Sequence, residues 1–525
     1  MPQNQQADLH HLIWEGGLNT IFATLIGGSF LVGFALALGA TDSQIGLLAA
    51  LPPFLNLMQI AGSYLVQRIG SAKKVCLFTS GLFRVIWLLI LVSPWVIFRH
   101  STPPWAVPLL LGMLGIASLF ASLSGISWMA WITPLVPDTI RGRFFGRRNM
   151  IASAAGMVTG LLAGYFVDFW QARIPGTSGE IQSFALLFGA GLIFGLLGWV
   201  TLKRVDEKRI EPDPGSDFLS GLKEPFRNPG FRRWMVFAVV WGFSVGLASP
   251  FFSVYMIRTL EIPFSVIALF GVISGLFTTL GMRIWGNLMD DLGSKPLLFF
   301  CSIGGALIPL LWLFAVPGSY HVLWGANILT GLAWSGIGLA TSNLLMASAP
   351  AKSSGTFFAV FAAVTGLASA VAPLIGGVIA GALTPVRYAV GPLTLGNLQI
   401  MFAITAACRL SSLILLKPVP AAQDMPVHEL VGKLESLSRV QLARSRQQMT
   451  TIGMQSWESA NILEAHATAR IEERTARLID EGLMAARRME ASARKIDAQV
   501  DSGVTRWEQT LNRMLDRIVN LFKRD

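Results

Sequence analysis

Long apolar stretches dominate the chain, and short polar segments separate them. A window of about 20 apolar residues is long enough to cross a ~30 Å hydrocarbon core as a helix. Such windows predict twelve spans, at about 17–39, 44–65, 75–98, 105–133, 146–168, 183–202, 234–257, 264–289, 296–317, 321–347, 356–383 and 394–416. The pattern therefore predicts an all-α membrane protein with about twelve transmembrane helices.

A charged, proline-containing connector at 203–233 divides these spans into two sets of six. We therefore expect an N-terminal six-helix bundle over 1–202 and a C-terminal six-helix bundle over 234–416. Residues 417–525 differ in composition, because they are rich in the helix-favouring residues Glu, Arg, Ala and Gln. Their apolar residues recur every three, four or seven positions, which predicts an amphipathic or coiled-coil helical tail. Such a tail could bind a protein partner, mediate self-association or lie on a membrane surface.

The charge distribution predicts how the chain is oriented. Apolar residues make up 53% of it, charged residues only 14%, and the net charge is +11. One set of alternate loops, together with the connector, holds 17 Lys and Arg, whereas the opposite set holds 4. Because cytoplasmic loops carry the basic excess, we expect both termini in the cytoplasm. We also expect a multi-pass protein of the plasma membrane, which is the inner membrane in a bacterium, with no nucleic-acid partner.

Two short loop sequences occur once in each half. PDTIRGRFF at 137–145 follows the fourth span, and PAKSSGTFF at 350–358 follows the tenth, so that proline, glycine and both phenylalanines match at an offset of 213. Between spans 2 and 3, QRIGSAK at 67–73 corresponds to DDLGSK at 290–295 between spans 8 and 9. Matches at equivalent loops indicate two halves in parallel repeat.

These loops resemble those of the major facilitator superfamily. GNLMDDLGSK at 286–295 is similar to that family's cytoplasmic loop motif, Gly-x-x-x-Asp-Arg-x-Gly-Arg-Arg, and 138–143 is similar to the family's loop after helix 4. The resemblance covers about residues 15–416. It implies a secondary transporter in which two bundles rock about a binding site near the membrane midplane.

The resemblance also implies a cytoplasmic gate at these loops. Asp290 would face the helix that begins near Gly142, where unpaired N–H groups stabilise a carboxylate. Arg283 lies seven residues before Asp290 on one helix face, which predicts a salt bridge between them. The alternative is that these charges are solvated loop residues. The candidate gate residues are Gln67, Arg68, Asp138, Arg141, Arg147, Arg283, Asp290 and Asp291.

Arg84 is the charge predicted to lie deepest. It is about ten residues into the third span, or ~15 Å from its start, where a charge costs at least ~2.5–3.5 kcal/mol. Its partner could be a backbone carbonyl, a distant acid or an anionic group of a substrate. Arg409, close to Lys417, is expected to extend to the membrane edge instead. Five acidic residues fall at predicted span ends, namely Glu15, Asp42, Asp168, Asp290 and Asp291. Their position disfavours a simple carboxylate-driven proton antiporter.

Uncharged polar side chains and one tryptophan mark further candidate contacts, although such residues more often make interhelical hydrogen bonds. With Arg84, the candidate substrate-binding residues are Asn19, Asn56, Gln59, Asn327, Trp334 and Asn343. No phosphate-binding Gly-x-x-x-x-Gly-Lys-Ser/Thr motif and no metal-ligand spacing of the six histidines occurs. We therefore expect a transporter rather than an enzyme, without a cofactor or metal, that moves a small-molecule substrate through the lipid bilayer. An anionic or amphiphilic substrate is favoured. The alternative is a non-transporting membrane scaffold or sensor that presents the tail to partners.

Overall fold

The computed structural model describes residues 3–96, 103–137, 139–207, 223–350, 354–386, 388–390 and 393–420. In these ranges the chain is almost entirely helical. A single antiparallel hairpin of the described residues pairs β1 (Tyr388–Val390) with β2 (Leu393–Leu395). The α-helices are Gln3–Ile26, Gly28–Ala37, Asp42–Leu55, Gln59–Ile69, Ala72–Val96, Ala106–Ile132, Arg141–Arg173, Thr177–Lys203, Glu224–Arg227, Pro229–Val254, Phe264–Leu292, Ser294–Trp312, Val322–Ser348, Ser354–Ala382 and Asn397–Ser412.

Twelve segments of the described chain are long and apolar enough to cross a membrane, which confirms the predicted number. We number them spans 1 to 12 in chain order. They are Ala7–Ala37, Asp42–Ile69, Ala72–Ser93, Ala106–Leu135, Arg141–Arg173, Thr177–Lys203, Pro229–Thr259, Phe264–Asp290, Ser294–Trp312, Val322–Ser348, Thr356–Ala382 and Asn397–Leu416. The predicted coiled-coil tail beyond residue 420 lies outside the described residues.

Span 1 begins ten residues earlier than its predicted limit at residue 17. The polar segment Gln3–Gln6 already belongs to the first helix, because glutamine and alanine favour helix and no proline intervenes. Glu15 therefore lies inside span 1, and the prediction that it marks the end of a span is wrong.

The helices pack as two sets, the N-terminal set (spans 1–6) and the C-terminal set (spans 7–12). In the N-terminal set, span 1 lies against spans 5 and 6, span 3 against spans 4 and 6, and span 2 against span 4. In the C-terminal set, span 7 lies against spans 11 and 12, span 9 against spans 10 and 12, and span 8 against span 10. Every pair recurs six spans later, which is the packing of a parallel repeat.

Two span pairs make the main contacts between the sets: span 2 packs against span 11, and span 5 against span 8. Span 7 makes smaller contacts with spans 1 and 2. The larger buried apolar cluster crosses this boundary and includes Phe34, Phe188, Phe251 and Phe264. It lies toward one end of the molecule, where the 1–2, 5–6, 7–8 and 11–12 connections meet. We call this the closed end.

Candidate functional site

At the closed end the backbones of the two sets touch. A Cβ atom on Gly46 of span 2 would overlap the carbonyl oxygen of Pro373 of span 11, and one on Gly164 of span 5 would lie 2.6 Å from the carbonyl oxygen of Phe264. Glycine permits such close helix approach. Because both crossings lie at this end, the two sets are in direct backbone contact there.

At the opposite end, which we call the open end, the sets diverge. Span 11 follows span 2 as far as the 3₁₀ turn Asn56–Met58, whereas the continuation Gln59–Ile69 lies against spans 3 and 4 of its own set. Tyr64 in that continuation is 64% exposed, and Met150 of span 5 is 66% exposed. The open end carries the basic loops that predict a cytoplasmic location.

An ion pair lies in the N-terminal set near the open end. Arg148 Nη2 of span 5 donates to Glu15 Oε2 of span 1 at 2.9 Å, and Arg148 Nε donates to the carbonyl oxygen of Leu12 at 3.2 Å. The guanidinium lies 4.7 Å from the centroid of the Trp128 ring. The Glu15 side chain is 8% exposed and that of Arg148 is 16% exposed. We call Glu15, Trp128 and Arg148 the ion-pair site. Asn19, one helical turn after Glu15 on the same face, is exposed.

Arg84 is buried and bonded to backbone. Its Nε donates to the carbonyl oxygen of Gly195 in span 6 at 2.8 Å, and its Nη1 donates to that of Ser80 at 2.8 Å. The guanidinium also lies 5.6 Å from the Phe22 ring centroid. Of the three partners considered for Arg84, the structure provides backbone carbonyls.

Arg409 makes the corresponding bond in the C-terminal set. It is 2% exposed, and its Nη1 donates to the carbonyl oxygen of Gly305 in span 9 at 2.7 Å. The prediction that it extends to the membrane edge is therefore wrong. Gly305 lies 221 positions after Arg84, and Arg409 lies 214 positions after Gly195. Spans 3 and 6 are thus bridged in the N-terminal set, and the equivalent spans 9 and 12 in the C-terminal set. The arginine lies on span 3 in the first bridge and on span 12, the counterpart of span 6, in the second.

Aromatic rings line a cavity in the C-terminal set. The rings of Trp234, Phe237 and Trp241 stack along span 7, with centroids 5.7 and 6.1 Å apart. Phe361 of span 11 stacks on Trp234 at 5.8 Å, and Trp334 of span 10 lies 6.4 Å from Trp241. The cavity between these spans has a volume of about 360 Å³. Its remaining lining residues are Ala238, Ile337, Gly338, Thr341, Ser342 and Thr365.

The aromatic cavity and the ion-pair site occupy equivalent places. Phe361 lies 213 positions after Arg148, and Thr341 lies 213 positions after Trp128, which is the offset of the loop repeat. Spans 1, 4 and 5 form one site, and spans 7, 10 and 11 form the other. The two sets therefore present different chemistry at one position of the repeat, charged in the N-terminal set and aromatic in the C-terminal set.

The other candidate substrate residues are spread along the spans. Asn56 is exposed and Gln59 half-buried at the 3₁₀ turn of span 2, which follows Pro52 and Pro53. Asn327 donates to the carbonyl oxygen of Leu323 in its own helix at 2.8 Å. Asn343 donates to Met289 Sδ of span 8 at 3.2 Å. Trp334 lines the aromatic cavity, and Asn19 lies beside the ion-pair site.

Most candidate gate residues are exposed at the open end: Gln67, Arg68, Arg147, Arg283 and Asp290. Arg141 donates to the carbonyl oxygens of Thr133 and Val136 at 3.5 and 3.4 Å. Asp138 and the side chain of Asp291 lie outside the described residues. Ion pairs between described residues include Arg148–Glu15 and Arg258–Asp42. The predicted Arg283–Asp290 salt bridge is not formed: both side chains are exposed and lie about two turns apart on span 8.

A second cavity, of about 970 Å³, lies at the closed end. Asp42 at the start of span 2 and Arg258 at the end of span 7 both line it. Its other lining residues include Thr41, Ser43, Tyr255, Thr384, Asn397 and Gln399.

The sequence model described as "Major Facilitator Superfamily" matches residues 16–373 and, in a second match, residues 240–457. The chain belongs to this superfamily. It is accordingly a multi-pass membrane protein with a transporter fold, rather than an enzyme. A search of the curated proteins finds no match.

Solved structures of transporters share this fold. The nucleoside transporter NupG is similar with a TM-score of 0.59 at 12% identity, over 79% of this chain and 99% of that one. A bacterial homologue of the iron transporter ferroportin, in an inward-facing state, gives 0.57 at 15% identity, over 79% and 98%. A D-xylose-proton symporter gives 0.55 at 18% identity, over 79% and 96%. At these identities the similarity establishes the fold and leaves the substrate open.

Proposed function

We propose that this protein is an alternating-access secondary transporter that moves a small amphiphilic molecule across the membrane. The observation that carries the proposal is that the ion-pair site and the aromatic cavity occupy equivalent positions of the two sets. A molecule with a polar group and a flat apolar part would find a complementary wall on each side.

The chemistry of each wall defines the substrate class. Arg148 is partly exposed and can bind an anionic or hydrogen-bond-accepting group beside Glu15, with the Asn19 amide close by. The rings of Trp241 and Trp334 can stack on a flat apolar group. Arg84 no longer supports an anionic substrate, since backbone carbonyls already bind its guanidinium. The similar transporters are named for a nucleoside, iron and D-xylose, so the fold alone does not select among substrates.

We further propose that the open end faces the cytoplasm, as does each terminus. The basic segments 67–74, 141–148, 203–207 and 223–233 lie on that side, and an excess of positive charge is typical of cytoplasmic loops. The structure then represents an inward-open state. In the alternate state the closed end would open and the cytoplasmic loops would meet.

Ligand-induced thermal stabilisation of the purified full chain tests the substrate class. The probes are 2-naphthoate, which has both a flat ring and an anionic group, 2-naphthol, which has the ring alone, and octanoate, which has the anionic group alone. A ligand that binds only the native state stabilises it by RT ln(1 + [L]/Kd), about 2.7 kcal/mol at 100 times Kd. We expect 2-naphthoate to raise the unfolding midpoint most.

Three variants localise the effect. Arg148→Gln and Trp241→Leu should each lose the stabilisation by 2-naphthoate. Trp14→Leu, which removes a tryptophan that is 61% exposed on span 1, should keep it and controls for general effects of tryptophan loss. Stabilisation by sugars or nucleosides with no response to 2-naphthoate would refute the amphiphilic class. Uptake of 2-naphthoate into proteoliposomes then separates transport from the alternative of a non-transporting scaffold, which would bind without uptake.

A further inference from the structure

Asp42 fastens the N-terminal set to two elements of the C-terminal set. Its Oδ1 lies 2.7 Å from Arg258 Nη2 at the end of span 7, and its Oδ2 accepts a hydrogen bond from Asn397 Nδ2 at the start of span 12 at 3.0 Å. The Asp42 side chain is 5% exposed, whereas that of Arg258 is 42% exposed. A single carboxylate thus holds two helix ends across the boundary between the sets.

Asp168 of span 5 makes the second such attachment. Its Oδ1 accepts from the backbone N–H of Phe264 at 2.7 Å, and its Oδ2 accepts from that of Ser265 at 2.9 Å. These N–H groups belong to the first turn of span 8, where the helix dipole and the unpaired donors favour a negative charge. The Phe264 ring stacks on Phe30 with centroids 6.0 Å apart and meets Phe184 edge-on at 5.3 Å. The first turn of span 8 is therefore held in the N-terminal set by both its backbone and its side chain.

The two attachments are built alike. Asp42 lies one turn from Gly46, and Asp168 lies one turn from Gly164, the two glycines at which the backbones touch. In each case the carboxylate belongs to the N-terminal set and its partners belong to the C-terminal set. Since span 2 enters the membrane at the closed end and span 5 leaves it there, both carboxylates lie on the outer side of their glycine.

We propose that Asp42 and Asp168 act together as a latch that holds the closed end shut, and that both attachments must break before the transporter opens on that side. The inference rests on the alternating access of the proposed function. Each attachment joins elements that must separate when the sets rock. The hydrogen bonds of Asp42 with Asn397 and of Asp168 with span 8 are charge-assisted, and Arg258 adds an ion pair. The 970 Å³ cavity beside Asp42 and Arg258 lets water replace their contact as they part.

Distances between spin labels at the closed end test the latch. Labels are attached at Thr177→Cys in the N-terminal set and Ser319→Cys in the C-terminal set, two exposed positions, with Cys76, Cys301 and Cys408 replaced by alanine. Double electron–electron resonance measures the distance between the two labels in the full chain in nanodiscs. The unmodified latch should give a single distance. Asp42→Asn with Asp168→Asn should add a longer distance, with the ratio of open to closed molecules raised about tenfold or more.

Two further variants make the outcome decisive. Glu180→Gln removes a carboxylate near the start of span 6 that does not join the sets, and it should leave the single distance unchanged. Arg258→Ala removes the cation of Asp42 at a partly exposed position and so weakens one attachment, and it should add a smaller population at the longer distance even if the double variant fails to fold. Retention of one short distance in the double variant, or in Arg258→Ala where the double variant does not fold, would overturn the proposal. No substrate is needed, so failure of the transport assay and failure of the latch are read independently.

Discussion

Arg84 and Arg409 show that a buried arginine in this protein can serve as a bridge between helices. Arg84 of span 3 donates to a backbone carbonyl of span 6 at 2.8 Å, and Arg409 of span 12 donates to one of span 9 at 2.7 Å. The depth of Arg84 follows from its position in an apolar window. The partner of Arg84 cannot be predicted from the sequence, because every residue has a carbonyl oxygen and a carbonyl partner therefore leaves no sequence signal. Glu15 escaped prediction for a different reason: the polar start of the first helix placed the beginning of span 1 too late.

Arg84→Lys should destabilise the protein by about 1.5–3 kcal/mol, because lysine keeps the buried charge but lacks the fork that reaches two carbonyls. The loss is measured by the thermal unfolding midpoint of the purified protein. Arg409→Lys should cost less, because Arg409 donates to one carbonyl, that of Gly305. If Arg84→Lys kept full stability but lost its stabilisation by ligand, Arg84 would instead belong to the substrate site.

Among the helices, glycine determines where two spans can touch. On span 10, a Cβ atom on Gly331 would overlap the carbonyl oxygen of Ser274 in span 8 and lie 2.8 Å from Phe277 Cβ. Gly338, two turns along the same helix, has no described atom near its would-be Cβ. The existence of the twelve spans could be predicted from hydrophobic length alone. Which glycines form helix crossings could not, because that depends on how the spans are arranged around one another.

Gly331→Ala should therefore destabilise the fold by about 1–3 kcal/mol through overpacking. Gly338→Ala should be neutral or stabilising by up to about 1 kcal/mol, since alanine restricts the unfolded chain and favours helix. Thermal unfolding of the two single variants side by side checks this. Equal destabilisation of both would mean that spans 8 and 10 do not pack as described.

For the molecule as a whole, the loop repeat at an offset of 213 predicted that two halves share one architecture, and the recurring pairs of spans agree with it. The open and closed ends could not be predicted in this way. Both states of an alternating-access transporter are encoded by the same residues, so the sequence pattern contains each set of contacts and does not say which is formed. The gate residue Asp290 is an instance, since it would meet the start of span 5 near Gly142 only when the open end closes.

The orientation of the whole molecule can be tested with reporter fusions. A fluorescent protein fused after residue 420 should fold and fluoresce, and alkaline phosphatase at that site should be inactive, because the site is predicted to be cytoplasmic. Alkaline phosphatase fused after Gly318, in the loop between spans 9 and 10, should be active. The reverse pattern would place the open end outside the cell.

The contacts at Gly46 and Gly164 also have an electrical consequence. Where backbone meets backbone without an intervening side chain, no continuous file of water can form between the sets. A membrane that maintains a voltage across itself is therefore not short-circuited while the other end stands open. A larger residue at either glycine would push the two backbones apart, and we expect the transporter then to conduct small ions as a leak.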